Sequence, residues 1–160
     1  MRVLSLFDGI SCGMLALERA GIPVEVYDAF ETDKYAIEIS KNNFPEINHH
    51  GDVFNGDFTQ FKGYDLLIGG SPCTYWSIAK KSRETSCNGE GFRLFNEYVR
   101  ALHESKCKYF LFENNYSIHQ NILYNHTQTQ LLIHRFHMDL KDLDYYHIYL
   151  LDSFLMHYFL

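Results

Sequence analysis

Cys73 stands at the end of a stretch that could present a nucleophile. Residues 65–77 read DLLIGGSPCTYWS. The short apolar run Leu66-Leu67-Ile68 predicts a buried parallel strand. Gly69 and Gly70 let the backbone leave the strand tip at dihedral angles that a side chain would forbid, and Pro72 fixes φ just before the thiol. A cysteine on a stiff loop at the carboxyl end of a strand lies where open α/β sheets bind ligands and do chemistry. As thiolate it is a nucleophile. A second group belongs beside it. Residues 109–112 (YFLF) predict another strand, which runs into Glu113-Asn114-Asn115. A carboxylate at that tip would adjoin the loop carrying Cys73 and could donate or hold a proton there. Without the cysteine, Glu113 would be a routine strand-end acid.

These two groups need a sheet behind them, and the N-terminal half supplies its pattern. Residues 3–7 form a compact apolar strand, residues 8–13 (DGISCG) a glycine-bearing loop, and residues 14–20 a helix closed by Gly21. Strand, glycine loop and helix open a nucleotide-type βαβ unit, although the spacing is FDGxxxG rather than GxGxxG. Gly9 and Gly13 would let a ligand lie against bare backbone. Residues 24–30 predict a second strand ending in Glu31-Thr32-Asp33. Glu31, about twenty residues past the glycine loop, is placed to accept hydrogen bonds from a ribose. Thr32 and Asp33 are good caps for a helix over 35–43. Residues 49–53 (HHGDV) read as the end of a third strand and its turn, with Asp52 able to read an adenine amino group or serve as a turn aspartate. The paired histidines are expected to be solvated. Residues 78–91 are polar and carry Lys80, Lys81 and Arg83, as a surface loop or a basic lid for a phosphate backbone would. Residues 93–102 then alternate as an amphipathic helix.

The whole chain sets outer bounds. Its 160 residues suit one domain with a real core. A formal net charge of −6 argues against a generally basic nucleic-acid surface, so any polyanion contact needs a local patch. No apolar run reaches the roughly 18 residues of a membrane span, and Asp8 interrupts the N-terminus where a secretory segment would continue. Cys12, Cys73, Cys87 and Cys107 show neither CxxC nor zinc spacing. All but Cys73 are expected to be inert, reduced thiols.

Taken in order, FDGISCG, YDAFETD, GDV, GGSPCTYWS, RLFNEYVRAL and FENN resemble six blocks of the cytosine-5 DNA methyltransferase family, over residues 3–115. The resemblance implies an α/β, Rossmann-like S-adenosylmethionine-dependent fold with a doubly wound, mostly parallel sheet of about five strands, truncated before the target-recognition region. It implies that Cys73 is the nucleophile and that Glu113 and Asn114 are the family's Glu-Asn pair. Phe7, Asp8, Gly9, Ile10 and Gly13 would form the cofactor loop, Glu31 would bind the ribose and Asp52 the adenine, with Pro72 and Leu94 lining the site. The implied partner is double-stranded DNA with one cytosine flipped out, in a cytoplasmic, bacterial or phage-encoded protein that serves either restriction-modification or a phage, without a metal. Cytosine C5 is a poor nucleophile until a thiolate adds to C6 and makes the ring enamine-like. A free thiol has a pKa of about 8.5, so such a site must raise the thiolate fraction. A protonated Glu113 could hold N3 as charge develops, and the base must leave the stack for both its faces to be reached. Thr74 and Asn115 stand where many members have glutamine and valine.

The end of the chain departs from this pattern. From Tyr116 onward there is no glycine, proline, valine, alanine or glutamate, while six of the nine histidines lie there. So sharp a change divides the chain into a methyltransferase part, 1–116, and an atypical tail, 117–160. The family would continue with an arginine-bearing strand, a target-recognition region and a closing helix. In the tail Arg135 is the one arginine, set in IHRFHMDL. His134 and His137 share a helical spacing but lack carboxylate or cysteine partners for a metal. The tail reads as a frameshifted or substituted end of a truncated gene. Three rivals to an active DNA enzyme therefore stand: a non-catalytic cofactor-binding remnant, half of a split enzyme completed by a second polypeptide, and an RNA cytosine-5 methyltransferase.

Overall fold

The computed structural model describes residues 1–75, 77 and 89–114. Five strands, β1 (Arg2–Leu6), β2 (Val26–Phe30), β3 (Asn48–His49), β4 (Leu66–Gly69) and β5 (Tyr109–Phe112), form one sheet in the order β3-β2-β1-β4-β5. All four pairings are parallel. Three helices connect them: α1 (Cys12–Arg19), α2 (Lys34–Asn43) and α3 (Glu90–Ser105).

Successive strand residues face opposite ways, and β1 shows it. Leu4 and Leu6 pack with Phe30, Leu67, and Tyr98 and Leu102 of α3 on one face. Val3 packs with Tyr27, Ala29, Ile68 and Met14 of α1 on the other. Leu4, Leu6 and Val3 are fully buried, each worth roughly 1.5–3 kcal/mol relative to exposure. Apolar cover on both faces is what a parallel sheet requires. The expected doubly wound α/β architecture with five parallel strands is the one observed.

Several boundaries differ from the expectation. β1 stops at Leu6 because Phe7 turns into the left-handed region, at φ 57°. β3 is two residues long: Gly51 turns the chain at φ 80°, and Asp52 caps a 3-10 turn over Val53–Asn55 by accepting from the Phe54 amide. A second such turn, Phe58–Phe61, is capped by Asp57 in the same way and buries both its phenylalanines. α3 begins at Glu90, so Glu90 and Gly91 leave the polar loop expected over 78–91. The rest of that loop (78–88, with Lys80, Lys81, Arg83 and Cys87) lies outside the described residues, as does 115–160 with Arg135, His134 and His137.

The paired histidines are not merely solvated. Asp28 is buried and needs donors. The Tyr64 hydroxyl supplies one at 2.6 Å, and His50 Nε2 lies 2.6 Å from its other oxygen while the ring stacks on Phe30. His49 is half-buried and bonded to Ser40.

Candidate active site

Phe30, Leu6, Gly69 and Phe112 stand side by side across the sheet, register partners at the carboxyl ends of β2, β1, β4 and β5. Glu31, Phe7, Gly70 and Glu113 are the next residue of each strand. The sequence's candidate groups therefore share one rim. Neighbouring strands are about 4.8 Å apart, so Glu31 and Glu113 belong to strand ends separated by roughly 14 Å. The connections reverse direction between β1 and β4, the switch point at which such sheets open a crevice. The glycine loop flanks it on one side and the Cys73 loop on the other.

The loop after β1 is held in an unusual shape. Phe7, Gly9 and Ser11 all have positive φ, at 57°, 60° and 65°. Two of these are not glycine, each at a cost of about 1–2 kcal/mol. Asp8 offsets that cost by accepting from Tyr27 (2.7 Å), Ser5 (2.6 Å) and Ser11. Burial, then the Asp8 charge, push the Tyr27 hydroxyl pKa well up, so it stays a donor. Asp8 thus faces the protein, where it braces the loop. A Cβ on Gly9 would meet nothing within 4 Å, and Ile10 is exposed, so this backbone is open to a ligand. Gly13 is different. A Cβ there would collide with Ile68 and come within 2.8 Å of the Tyr27 hydroxyl, so this glycine seats α1 against the sheet.

Glu31 closes the same loop from β2. One oxygen accepts the Gly9 amide at 2.8 Å, and the other accepts the Thr32 and Asp33 amides at 2.7 and 2.8 Å. A carboxylate offers about four lone-pair sites, so one remains for an outside hydroxyl. Asp33 caps α2 through the Tyr35 and Ala36 amides. Asp52 uses Oδ1 on its own turn. That turn is clamped by Arg100 of α3, which donates to the Val53 and Gly56 carbonyls at 2.9 Å each. Desolvation works against the Arg100 charge, yet Glu97 and Glu104 hold its pKa above the ordinary value. Leu94 is half-buried on α3, packed with Phe7 against the core.

Across the switch point, Ser71 and Pro72 lead from β4 into a 3-10 turn over Cys73–Tyr75. Cys73 is exposed and free of any disulfide, as is Cys12, whereas Cys107 is buried. Asn114 is buried and donates to the Ser71 carbonyl at 2.6 Å, locking the β5 tip to the Cys73 loop. The Glu113 amide donates to the Gly69 carbonyl at 3.1 Å. A Cβ on Gly70 would strike the Glu113 carbonyl and lie 3.1 Å from its Oε2. The Glu113 carboxylate therefore overhangs Gly70, three residues from the thiol. Among the described residues no group of His, Cys, Asp or Glu could hold a metal ion, and no helix is long and apolar enough to cross a membrane.

Ser40 and Arg100 are not among the candidates that the sequence singles out, and His49 is there expected to be solvated. Ser40 had a signal: a serine on the inward stripe of α2, four residues past Ala36 and three past Ile37, is fully buried. Arg100 had one too, with Glu97 and Glu104 at helical spacing on either side.

A profile of the C-5 cytosine-specific DNA methylases matches residues 1–154. The orphan methyltransferase M.SPRI of Bacillus phage SPR is 38% identical over 118 residues, covering 71% of this chain and 26% of that protein. The type II methyltransferase M.FnuDI of Fusobacterium nucleatum is 36% identical over 119 residues, covering 71% and 32%. The chain thus spans between about a quarter and a third of the length of these relatives. Among solved structures, an Escherichia coli prophage protein described as a DNA modification methyltransferase superposes with a TM-score of 0.65 at 27% identity, covering 84% of this chain and 37% of that one. The Dnmt2 methyltransferase of Schizosaccharomyces pombe gives 0.62 at 20% identity, with 84% and 39% covered, a likeness of fold. With the profile running over nearly its whole length, this Rossmann-like chain belongs to the C-5 cytosine-specific DNA methylase family.

Proposed function

We propose that this chain carries the cofactor-binding and thiol-bearing half of a DNA cytosine-5 methyltransferase that uses S-adenosylmethionine. The observation that carries this reading is the single rim: the open Gly9 backbone and Glu31 lie on one side of the switch point, and the Cys73 loop with Glu113 on the other. The residues fit the cofactor. Gly9 offers an uncovered cradle, Glu31 a remaining acceptor for ribose, and Asp52 a second carboxylate oxygen for an adenine amino group. Phe7, Ile10, Pro72 and Leu94 would supply its apolar walls. Asp8 and Gly13 would act through the shape of the loop.

When bound, S-adenosylmethionine supplies an electrophilic methyl group on a sulfonium. Cys73, as thiolate, adds to C6 of an extruded cytosine, and the electron pair of the C5–C6 double bond becomes available at C5. Glu113, in its protonated form, donates a hydrogen bond to N3, where negative charge would otherwise accumulate. Asn114 holds the Cys73 loop in register with Glu113 through Ser71. After C5 takes the methyl group it loses its proton to a base, the C6–S bond breaks, and Cys73 leaves as thiolate with the C5–C6 double bond restored. The substrate is DNA, in a bacterial or phage setting like that of the relatives.

Trapping tests this directly. Incubated with S-adenosylmethionine and DNA carrying 5-fluorocytosine, the chain should form a denaturant-stable adduct that Cys73→Ala abolishes, because fluorine at C5 cannot leave as a proton does. A second reading is a split enzyme whose target-recognition half is another polypeptide. An adduct that forms only when a neighbouring open reading frame is co-expressed selects that reading. No adduct under either condition leaves the cofactor-binding remnant. We also place the division between this half and the atypical tail at residue 116.

A further inference from the structure

Ser11 occupies the N-cap of α1 and makes no capping hydrogen bond with its side chain. Such a bond is ordinarily worth about 1 kcal/mol, so the hydroxyl is engaged elsewhere. It donates to Asp8 Oδ2 and lies 2.6 Å from the Ser40 hydroxyl of α2. Ser40 in turn lies 3.2 Å from His49 Nε2 at the end of β3. Both serines are fully buried.

The direction of every proton in this chain follows from one end. An ionised carboxylate only accepts, so Ser11 must donate to Asp8. Ser11 then accepts from Ser40, and Ser40 accepts from an Nε2–H of His49. That fixes the tautomer and leaves Nδ1 with its lone pair. Nδ1 is buried and has no hydrogen-bond partner among the described residues, so no bond on that side competes with the Nε2–H form. Burial, then Lys41, hold the His49 pKa below its ordinary value of 6.5, with His50 adding to this and Asp8 and Glu31 opposing it.

We infer that Ser40 and His49 are positioning residues for the cofactor, acting through a one-way hydrogen-bond relay, His49→Ser40→Ser11→Asp8, that ties β3 and α2 to the left-handed loop after β1. The relay ends on the carboxylate that braces Phe7, Gly9 and Ser11, and hence on the Gly9 amide that Glu31 accepts. It makes loop shape depend on residues that touch no ligand. The inference rests on the proposed S-adenosylmethionine reading.

Calorimetric titration of the full chain with S-adenosylhomocysteine tests it. Ser40→Ala and His49→Phe should each weaken binding about three- to tenfold, the range expected for one net hydrogen bond. His49→Gln keeps an amide donor and should return to within about twofold of wild type. A role in packing alone predicts the reverse, since phenylalanine fills the ring's place and glutamine does not. Nitrogen-15 spectra of the wild-type imidazole should show the Nε2–H tautomer without ligand, which checks the relay should a variant fail to fold. Wild-type affinity in both Ser40→Ala and His49→Phe, or an Nδ1–H tautomer, overturns the relay alone. No binding by the wild-type chain overturns the cofactor reading, and the inference with it.

Discussion

Between β1 and β3 the strand tips are joined by charged and hydroxyl side chains in addition to backbone bonds, whereas between β4 and β5 they are joined by backbone and one amide. Asp8 and Glu31 between them accept six hydrogen bonds, three of them from the backbone amides of Gly9, Thr32 and Asp33. On the other side Asn114 reaches the Ser71 carbonyl, the Glu113 amide reaches the Gly69 carbonyl, and Gly70 has no room for a Cβ. The first arrangement holds a strained loop open against its own tendency to relax. The second brings two chain segments as close as their backbones allow while leaving the thiol exposed. A small ligand held by many contacts calls for the first, and a nucleophile that must meet a large substrate calls for the second.

If the two sides do separate tasks, each can be damaged without the other. The largest effect is expected from Gly70→Ala, which forces the Cys73 loop away from Glu113. A misplacement near 1 Å can cost about 100-fold in rate, so adduct formation with 5-fluorocytosine DNA should slow by that order. The affinity for S-adenosylhomocysteine should stay within about twofold. Comparable losses in both would break the division. Glu31→Ala is the mirror experiment. It strips a charged acceptor from three amides, at about 1.5–3 kcal/mol for such a bond, and should weaken S-adenosylhomocysteine binding by roughly 10- to 100-fold. The rate at which iodoacetamide labels Cys73, followed by peptide mass mapping, should not move.

Much of this arrangement could be read from residue order, and the part that could not has a common cause. Apolar runs located four of the five strands, while the third was read only from the HHGDV turn beside the polar pair Asn48–His49, and the residues after the strands located the rim. Cys73 and Glu31 needed no partner to be noticed, because their chemistry and their place after a strand are local facts, whereas Glu113 stood out only as a neighbour of the Cys73 loop. The contacts that shape the site are not local. Asn114 meets Ser71 across 43 residues, and Ser11 meets Ser40 across 29. Gly13 was legible as a glycine in a loop, but its reason lies in Ile68 and Tyr27 on other strands. The 3-10 turns left a trace in the repeated Gly-Asp of GDVFNGD, which resembles ordinary loop composition until Phe58 and Phe61 are seen to be buried. His49 and His50 looked solvated because Asp28 and Ser40, which engage them, lie on β2 and α2.

Asn114→Ala sharpens the description of the thiol side. It leaves the Ser71 carbonyl without that donor in a buried place, at a cost of about 1–3 kcal/mol. Chemical denaturation should register that loss, and adduct formation should slow with no change in cofactor affinity. Restoration of both stability and adduct rate by Asn114→Gln would mean that the amide alone matters and its reach does not.

The smallest effect concerns acidity and falls on the cofactor side. The unfolded chain takes up a proton at His49 near the ordinary value of 6.5, while the folded chain resists protonation until lower pH. In that interval the unfolded state binds more protons, so stability declines as pH falls below about 6.5 and is unaffected by this residue above it. Melting temperature measured between pH 7.5 and 5.5 should fall more steeply for the wild-type chain than for His49→Phe, which has nothing to protonate at this position. S-adenosylhomocysteine affinity should weaken over the same interval in the wild type only, since an imidazolium at His49 favours water over the buried place beside Ser40. The labelling rate of Cys73 should show no step attributable to His49. A step shared by both sides of the rim would mean that β1 transmits strain between them, and that the two arrangements are one.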